Sequence, residues 1–195
     1  MTKFIFRTTP YQHQLEALEG SAEAADYALL MDMGTGKTKV CLDTIVHNFR
    51  QKRINFALIV APKGVIANWT GEIETHTPEE VIRSVVLWKP SLTKTHRAEL
   101  LALSKETEEL KFLLMNVEAF STKKGVDIAE FFMKKFKVFM VVDESTTIKN
   151  RQAKRTKAIC AVGRGAVMRR ILTGSPVTKS PMDLFSQMDF LNPKI

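Results

Sequence analysis

Gly34-Thr35-Gly36-Lys37-Thr38 limits the fold of this 195-residue chain more than any other feature. The five residues follow an apolar run, Tyr27–Met31, and open a segment, Thr38–Arg50, that carries Cys41, Leu42, Ile45, Val46 and Phe49 at helical spacing. A strand, a glycine-rich turn and a helix in that order is the setting a phosphate-binding loop requires. Glycines let backbone N–H groups close around phosphate oxygens with no Cβ in the way. The helix N-terminus adds a dipole that favours an anion. In such a loop Lys37 reaches the β- and γ-phosphates and the Thr38 hydroxyl ligates Mg²⁺. Met33, Gly34, Thr35, Gly36, Lys37 and Thr38 are therefore the candidate nucleotide-holding residues, with Mg²⁺ beside the nucleotide. The general pattern asks for a further glycine at position 31, where this chain has Met31. The same residues also fit a plain surface turn; the strand before and the helix after favour the phosphate loop.

Short apolar runs recur at Asn55–Ala61, Val81–Leu87, Lys111–Met115, Val138–Val142 and Arg170–Leu172. Helix-period stretches lie between them: Gly64–Thr75 with Val65, Ile66, Trp69 and Ile73, and Arg151–Val162 with Ile159 and Cys160. Ser180-Pro181 supplies a cap and a first-turn proline for a last helix, striped by Leu184, Phe185, Met188 and Leu191. This alternation predicts an α/β domain with a mostly parallel sheet and helices on both faces.

In a parallel sheet the carboxyl ends of the strands share one rim, so residues there can meet the phosphate loop. Val138–Val142 ends in Asp143-Glu144. Asp143 is placed to hold Mg²⁺, and Glu144 to orient and deprotonate an attacking water. Lys37, Asp143 and Glu144 form the candidate catalytic set. Two solvated acids at a strand end are the alternative. Arg170–Leu172 runs into Thr173-Gly174-Ser175-Pro176. That is either a turn or a pair of hydroxyls, Thr173 and Ser175, directed at the acids and sensing the γ-phosphate.

The net charge of +8 is unevenly spread. Between Lys134 and Arg170 stand eleven Lys and Arg against Asp143 and Glu144, a net +9, and the remainder nets −1. Such clustering points to a polyanionic partner, nucleic acid first, or to a basic solvated helix face. Apolar residues at 45% and charged residues at 26% exclude collagen-like and disordered classes. No apolar run approaches the ~20 residues of a membrane span, so no membrane partner is expected. Met1–Arg7 has no signal-peptide pattern. Cys41 and Cys160 have no metal-ligand spacing and read as buried free thiols of a reducing cytoplasm.

Taken together, Met31–Thr38, Asp143-Glu144-Ser145-Thr146 and Leu172–Pro176 resemble motifs I, II and III of superfamily 2 helicases. The finer resemblance is to Swi/Snf-type ATPases, especially short bacteriophage ones, in which position 31 is usually not glycine. Pro10–Leu18 resembles the Q-motif region, which implies that Gln14 reads the adenine edge through its amide donor and acceptor. Ile59–Lys63 with Asn68-Trp69 resembles motif Ia, Met115–Ala119 the next motif, and Ile148-Lys149-Asn150 follows motif II as in the family. The resemblance runs from about Pro10 to Pro193. It implies a RecA-like P-loop domain over 1–195, the ATP-binding first lobe of a DNA translocase in the cytoplasm of a bacterium or phage-infected cell. It further implies a partner lobe, absent from this chain, that brings the arginine finger. DNA is the favoured track over RNA, its phosphates contacted by Lys63, Asn116, Lys149 and Arg151. Thr146 stands where the family often has His, a position that usually couples the nucleotide site to the second lobe. Trp69 fits the apolar stripe of its helix better than a base-stacking role. A small P-loop kinase and a catalytically inactive module that binds nucleotide, DNA or a partner protein are the rival classes. The Asp-Glu pair favours water over a kinase acceptor.

Overall fold

The computed structural model describes residues 4–192. Pro193, where the resemblance ends, and the termini Met1 and Ile195 lie outside them. Six strands form one parallel sheet: β1 (Asp26–Leu30), β2 (Phe56–Ala61), β3 (Arg83–Leu87), β4 (Leu110–Asn116), β5 (Val138–Asp143) and β6 (Met168–Thr173), in the order β1-β6-β5-β2-β4-β3. Each falls on one of the six apolar runs, shifted by a residue or two at the ends. The helices are α1 (Gln12–Ser21), α2 (Lys37–Arg50), α3 (Lys63–Ile66), α4 (Asn68–His76), α5 (Lys94–Leu103), α6 (Lys123–Lys135), α7 (Lys154–Gly163) and α8 (Phe185–Leu191).

The central strands are apolar on both faces because helices cover both. Side chains alternate between the two. Ala57, Ile59, Phe112, Leu114, Phe139, Val141 and Leu172 pack toward α1, α2 and α4, with Leu18, Leu42, Ile45, Trp69 and Ile73. Phe56, Leu58, Leu113, Met115, Met140, Val142 and Ile171 pack toward α5, α6, α7 and α8, with Leu103, Phe132, Ile159 and Phe190. The expected α/β architecture is present.

The details depart from expectation in four places. Gly64–Thr75 is two helices, broken at Ala67 between α3 and α4. The helix expected from Arg151 starts at Lys154. In the last helix Phe185 turns outward at 44% exposure, beneath the Arg151 guanidinium 5.1 Å from its ring, and Phe190 is buried instead. The basic stretch does not form one patch. Strand β5 separates Lys134, Lys135 and Lys137 at its amino end from Lys149 and Arg151 beyond its carboxyl end. Arg170 is fully buried: its guanidinium donates to the carbonyls of Ser21, Ala24, Ala25 and Arg169 and lies 5.0 Å from the Phe139 ring centre. It ties the α1–β1 connection, and so the strand that carries the phosphate loop, to β6. Burial pulls its pKa down to about 10. Among the described residues no helix is long and apolar enough to cross a membrane.

Candidate nucleotide site

The strand order sets the sequence of loops along the carboxyl rim. Residues 31–37 follow β1, Thr173–Ser175 follow β6, Asp143-Glu144 end β5, Lys63 follows β2 and Asn116 ends β4. The nucleotide candidates therefore occupy one end of the rim and two of the four nucleic-acid candidates the other. β6 lies between the phosphate loop and the acids. Gly174, just after β6, touches that loop: a Cβ there would sit 3.3 Å from the Met33 nitrogen.

The loop turns on two left-handed glycines, Gly34 at φ 77° and Gly36 at φ 83°. Gly36 is also the N-cap of α2, and a Cβ on it would stand 2.3 Å from Gln14 Nε2. The dihedral requires glycine, and a Cβ would also push the Gln14 amide off the loop. Gln14 Nε2 donates to the Thr35 carbonyl at 3.0 Å, its Oε1 accepts the Tyr11 N–H at 3.0 Å, and His13 Nε2 sits 3.0 Å from the same Thr35 carbonyl. Gln14 thus braces the loop with one donor and caps its own helix α1 with one acceptor. One of each remains for an adenine edge. Lys37 is buried, and its Nζ donates to the carbonyls of Met31 (3.0 Å) and Asp32 (2.9 Å), which leaves one of its three donors. Thr38 is half-buried in the first turn of α2.

Asp143 is buried, with both carboxylate oxygens held: Oδ1 accepts the Glu144 N–H and Oδ2 the Trp69 indole N–H, each at 2.9 Å. Burial raises its pKa; the two hydrogen bonds and the Lys37 charge oppose that rise. Glu144 adopts a left-handed conformation, φ 47° and ψ 58°, unusual for a residue with a Cβ. Such strain persists where the surroundings impose it, often at functional sites.

Thr173 and Ser175 do not reach the acids as expected. The Thr173 hydroxyl accepts the Ser175 N–H at 3.2 Å, and Ser175 is exposed. The tie to the acids runs elsewhere. Fully buried Gln187 of α8 accepts the Ser145 hydroxyl at 2.5 Å and donates to the carbonyls of Pro176 and Asp183, both at 2.8 Å. A second tie joins Lys149 Nζ to the Thr178 hydroxyl at 2.6 Å. Of the nucleic-acid candidates, Lys63 and Arg151 are exposed, whereas Asn116 and Lys149 are half-buried.

His13, Trp69 and Gln187 were not among the sequence candidates. For Trp69 there was a signal: a buried indole N–H needs an acceptor. A lone glutamine in an amphipathic helix gave none.

The donor set fits Mg²⁺. Asp143 keeps free lone pairs on both oxygens, and Thr38 offers a hydroxyl. Among the described residues no cluster of three or more His, Cys, Asp or Glu exists to cage a transition metal. One carboxylate and a hydroxyl, completed by phosphate oxygens and water, is the usual Mg²⁺ arrangement.

Comparison with known proteins bears on the fold and the family. The chain is 26% identical over 166 residues to a chromatin structure-remodeling complex subunit of Schizosaccharomyces pombe, covering 84% of this chain and 13% of that protein. It is 30% identical over 168 residues to a probable ATP-dependent DNA helicase of Arabidopsis thaliana, covering 84% and 14%. The chain therefore spans only about a seventh of the length of these relatives. The SWI2/SNF2 ATPase core of Sulfolobus solfataricus, solved in complex with dsDNA, shares the fold with a TM-score of 0.74 at 21% identity, over 99% of this chain and 38% of that one. The family model described as the SNF2-related domain matches residues 13–195, and the chain belongs to that family.

Proposed function

We propose that this chain is the ATP-binding lobe of a DNA-dependent ATPase that couples hydrolysis to movement on DNA. One observation carries the reading: a glycine-turned loop ending in Lys37 shares the carboxyl rim of one parallel sheet with Asp143 and Glu144. N–H groups of the loop and the Lys37 ammonium hold the phosphates. Thr38 and Asp143 would hold Mg²⁺, which supplies charge neutralisation at the transferring phosphoryl group. Glu144 orients the attacking water and takes its proton. Gln14 reads the adenine edge with the donor and acceptor left to it. Lys63, Asn116, Lys149 and Arg151 serve DNA phosphates, and Thr173 and Ser175 pass on the state of the site through the Pro176–Gln187–Ser145 chain. A second RecA-like lobe closes the site and brings the arginine finger, and the cell compartment is the cytoplasm.

Loss of an arginine finger costs about 10³–10⁵ in rate. The test is ATP turnover by this chain, with and without duplex DNA, beside Glu144→Gln. Slow turnover that Glu144→Gln abolishes is the expected result. Turnover unchanged by Glu144→Gln would overturn the reading, and bound ATP with no turnover at all would favour the inactive binding module.

A further inference from the structure

Trp69 sits where the two functions of the rim meet. It belongs to α4, which with α3 forms the segment leaving β2. Strand β2 lies beside β5 in the sheet, Val60 opposite Val142, so this segment stands next to the loop that starts at Asp143. The same segment exposes Lys63 and Asn68 to solvent. The indole is 1% exposed and donates to Asp143 Oδ2 at 2.9 Å. The other carboxylate oxygen is held by the N–H of the next residue in its own loop. The plane of the carboxylate is therefore set by two donors, one local and one delivered by the segment that carries Lys63. The indole N–H is a donor only and, buried, takes an acceptor; the acceptor the fold gives it is the Asp143 carboxylate.

Building on the function proposed above, we infer that Trp69 is a positioning residue that orients the Asp143 carboxylate toward Mg²⁺. Through it, a nucleic-acid phosphate held at Lys63 and a metal held at Asp143 strengthen each other's binding. Partners that orient a metal-binding group change metal affinity by about 10- to 100-fold when removed. Coupling between two binding events is reciprocal: whatever duplex does for Mg²⁺, Mg²⁺ does equally for duplex.

The experiment titrates Mg²⁺ into the chain with a non-hydrolysable ATP analogue present, with and without a short DNA duplex. It compares the unaltered chain, Trp69→Phe and Lys63→Ala. In parallel, the chain labelled with 5-fluorotryptophan is followed by ¹⁹F NMR, its two resonances assigned through Trp88→Phe. Trp69→Phe is expected to raise the Mg²⁺ midpoint about tenfold or more and to leave metal-free nucleotide binding unchanged. Duplex is expected to lower the midpoint in the unaltered chain but in neither variant. Mg²⁺ is expected to shift the Trp69 resonance and not that of Trp88. An unmoved midpoint in Trp69→Phe, or a Trp69 resonance indifferent to Mg²⁺, overturns the inference. The resonance alone decides if Trp69→Phe fails to fold. A duplex effect that survives Trp69→Phe removes the coupling. An unaltered chain that binds no nucleotide overturns the functional reading as well, which separates the two failures.

Discussion

At the residue scale, the site is a set of local strains and local donors. Glu144 is the clearest case. Its φ of 47° places a Cβ residue in a region that costs about 1–2 kcal/mol. Glu144→Gly should relieve that strain and raise the melting temperature by about 2–4 °C for about 1 kcal/mol in a domain of this size, while ATP turnover disappears. A calorimetric scan and a turnover assay on the same sample check both; lower stability in Glu144→Gly would show that the conformation is not strained. The chemistry of these residues was legible in the sequence, because Gly34, Gly36, Lys37 and Thr38 keep fixed spacing between a strand and a helix. What was not legible is who braces them. The contact of Gln14 with Gly36 and the indole bond to Asp143 join residues 22 and 74 positions apart, and only the fold brings them together.

The element scale is where the acid-bearing loop and the loop after β6 become one unit. Gln187 of α8 joins them through Ser145, Pro176 and Asp183. Gln187→Leu would leave a buried hydroxyl and two carbonyls without their partner, each costing about 1–3 kcal/mol. We expect a loss of at least about 2 kcal/mol in denaturant unfolding, and combination with Ser145→Ala should cost less than the sum, because the two share a bond. Strict additivity would show that the bond contributes nothing. Asp183 caps the same loop: its Oδ2 accepts the N–H groups of Thr178 (2.9 Å) and Lys179 (2.8 Å) and the Thr178 hydroxyl (2.8 Å). These bonds hold its carboxyl well below the usual carboxylate range, the Lys179 N–H most strongly. A depressed acid contributes stability above its unfolded pKa of about 3.9 and loses it as pH falls toward the folded value. The advantage of the unaltered chain over Asp183→Asn should therefore be present at pH 7 and shrink once the pH drops below about 4. An advantage that stays constant with pH in chemical unfolding would contradict this. Apolar runs revealed all six strands: β2 is apolar throughout because helices cover both faces, while β1, β3, β4 and β6 keep an apolar run beside polar residues such as Asp26, Arg83, Lys111 and Arg170. They did not reveal the break at Ala67 or the outward turn of Phe185, which depend on neighbours distant in sequence.

For the whole molecule, sheet order does what no motif can. The order β1-β6-β5-β2-β4-β3 lays the phosphate loop, the hydroxyl loop, the acids and then Lys63 and Asn116 along a single rim. It also divides the basic stretch, sending Lys134, Lys135 and Lys137 to the far end of β5 and burying Arg170 in the core. Net charge counted along the chain said nothing of either. Lys149 and Arg151, which follow the acids, are themselves engaged with Thr178 and Phe185.

The central claim is that Lys37 and the loop before it hold the phosphates of ATP. Equilibrium binding of a fluorescent ATP analogue in Mg²⁺, compared among the unaltered chain, Lys37→Ala and Glu144→Gln, tests it most directly. The expected result is binding by the unaltered chain and by Glu144→Gln, and affinity at least about tenfold weaker, or about 1.4 kcal/mol, for Lys37→Ala. Equal binding by Lys37→Ala, or no binding by the unaltered chain, would contradict the account.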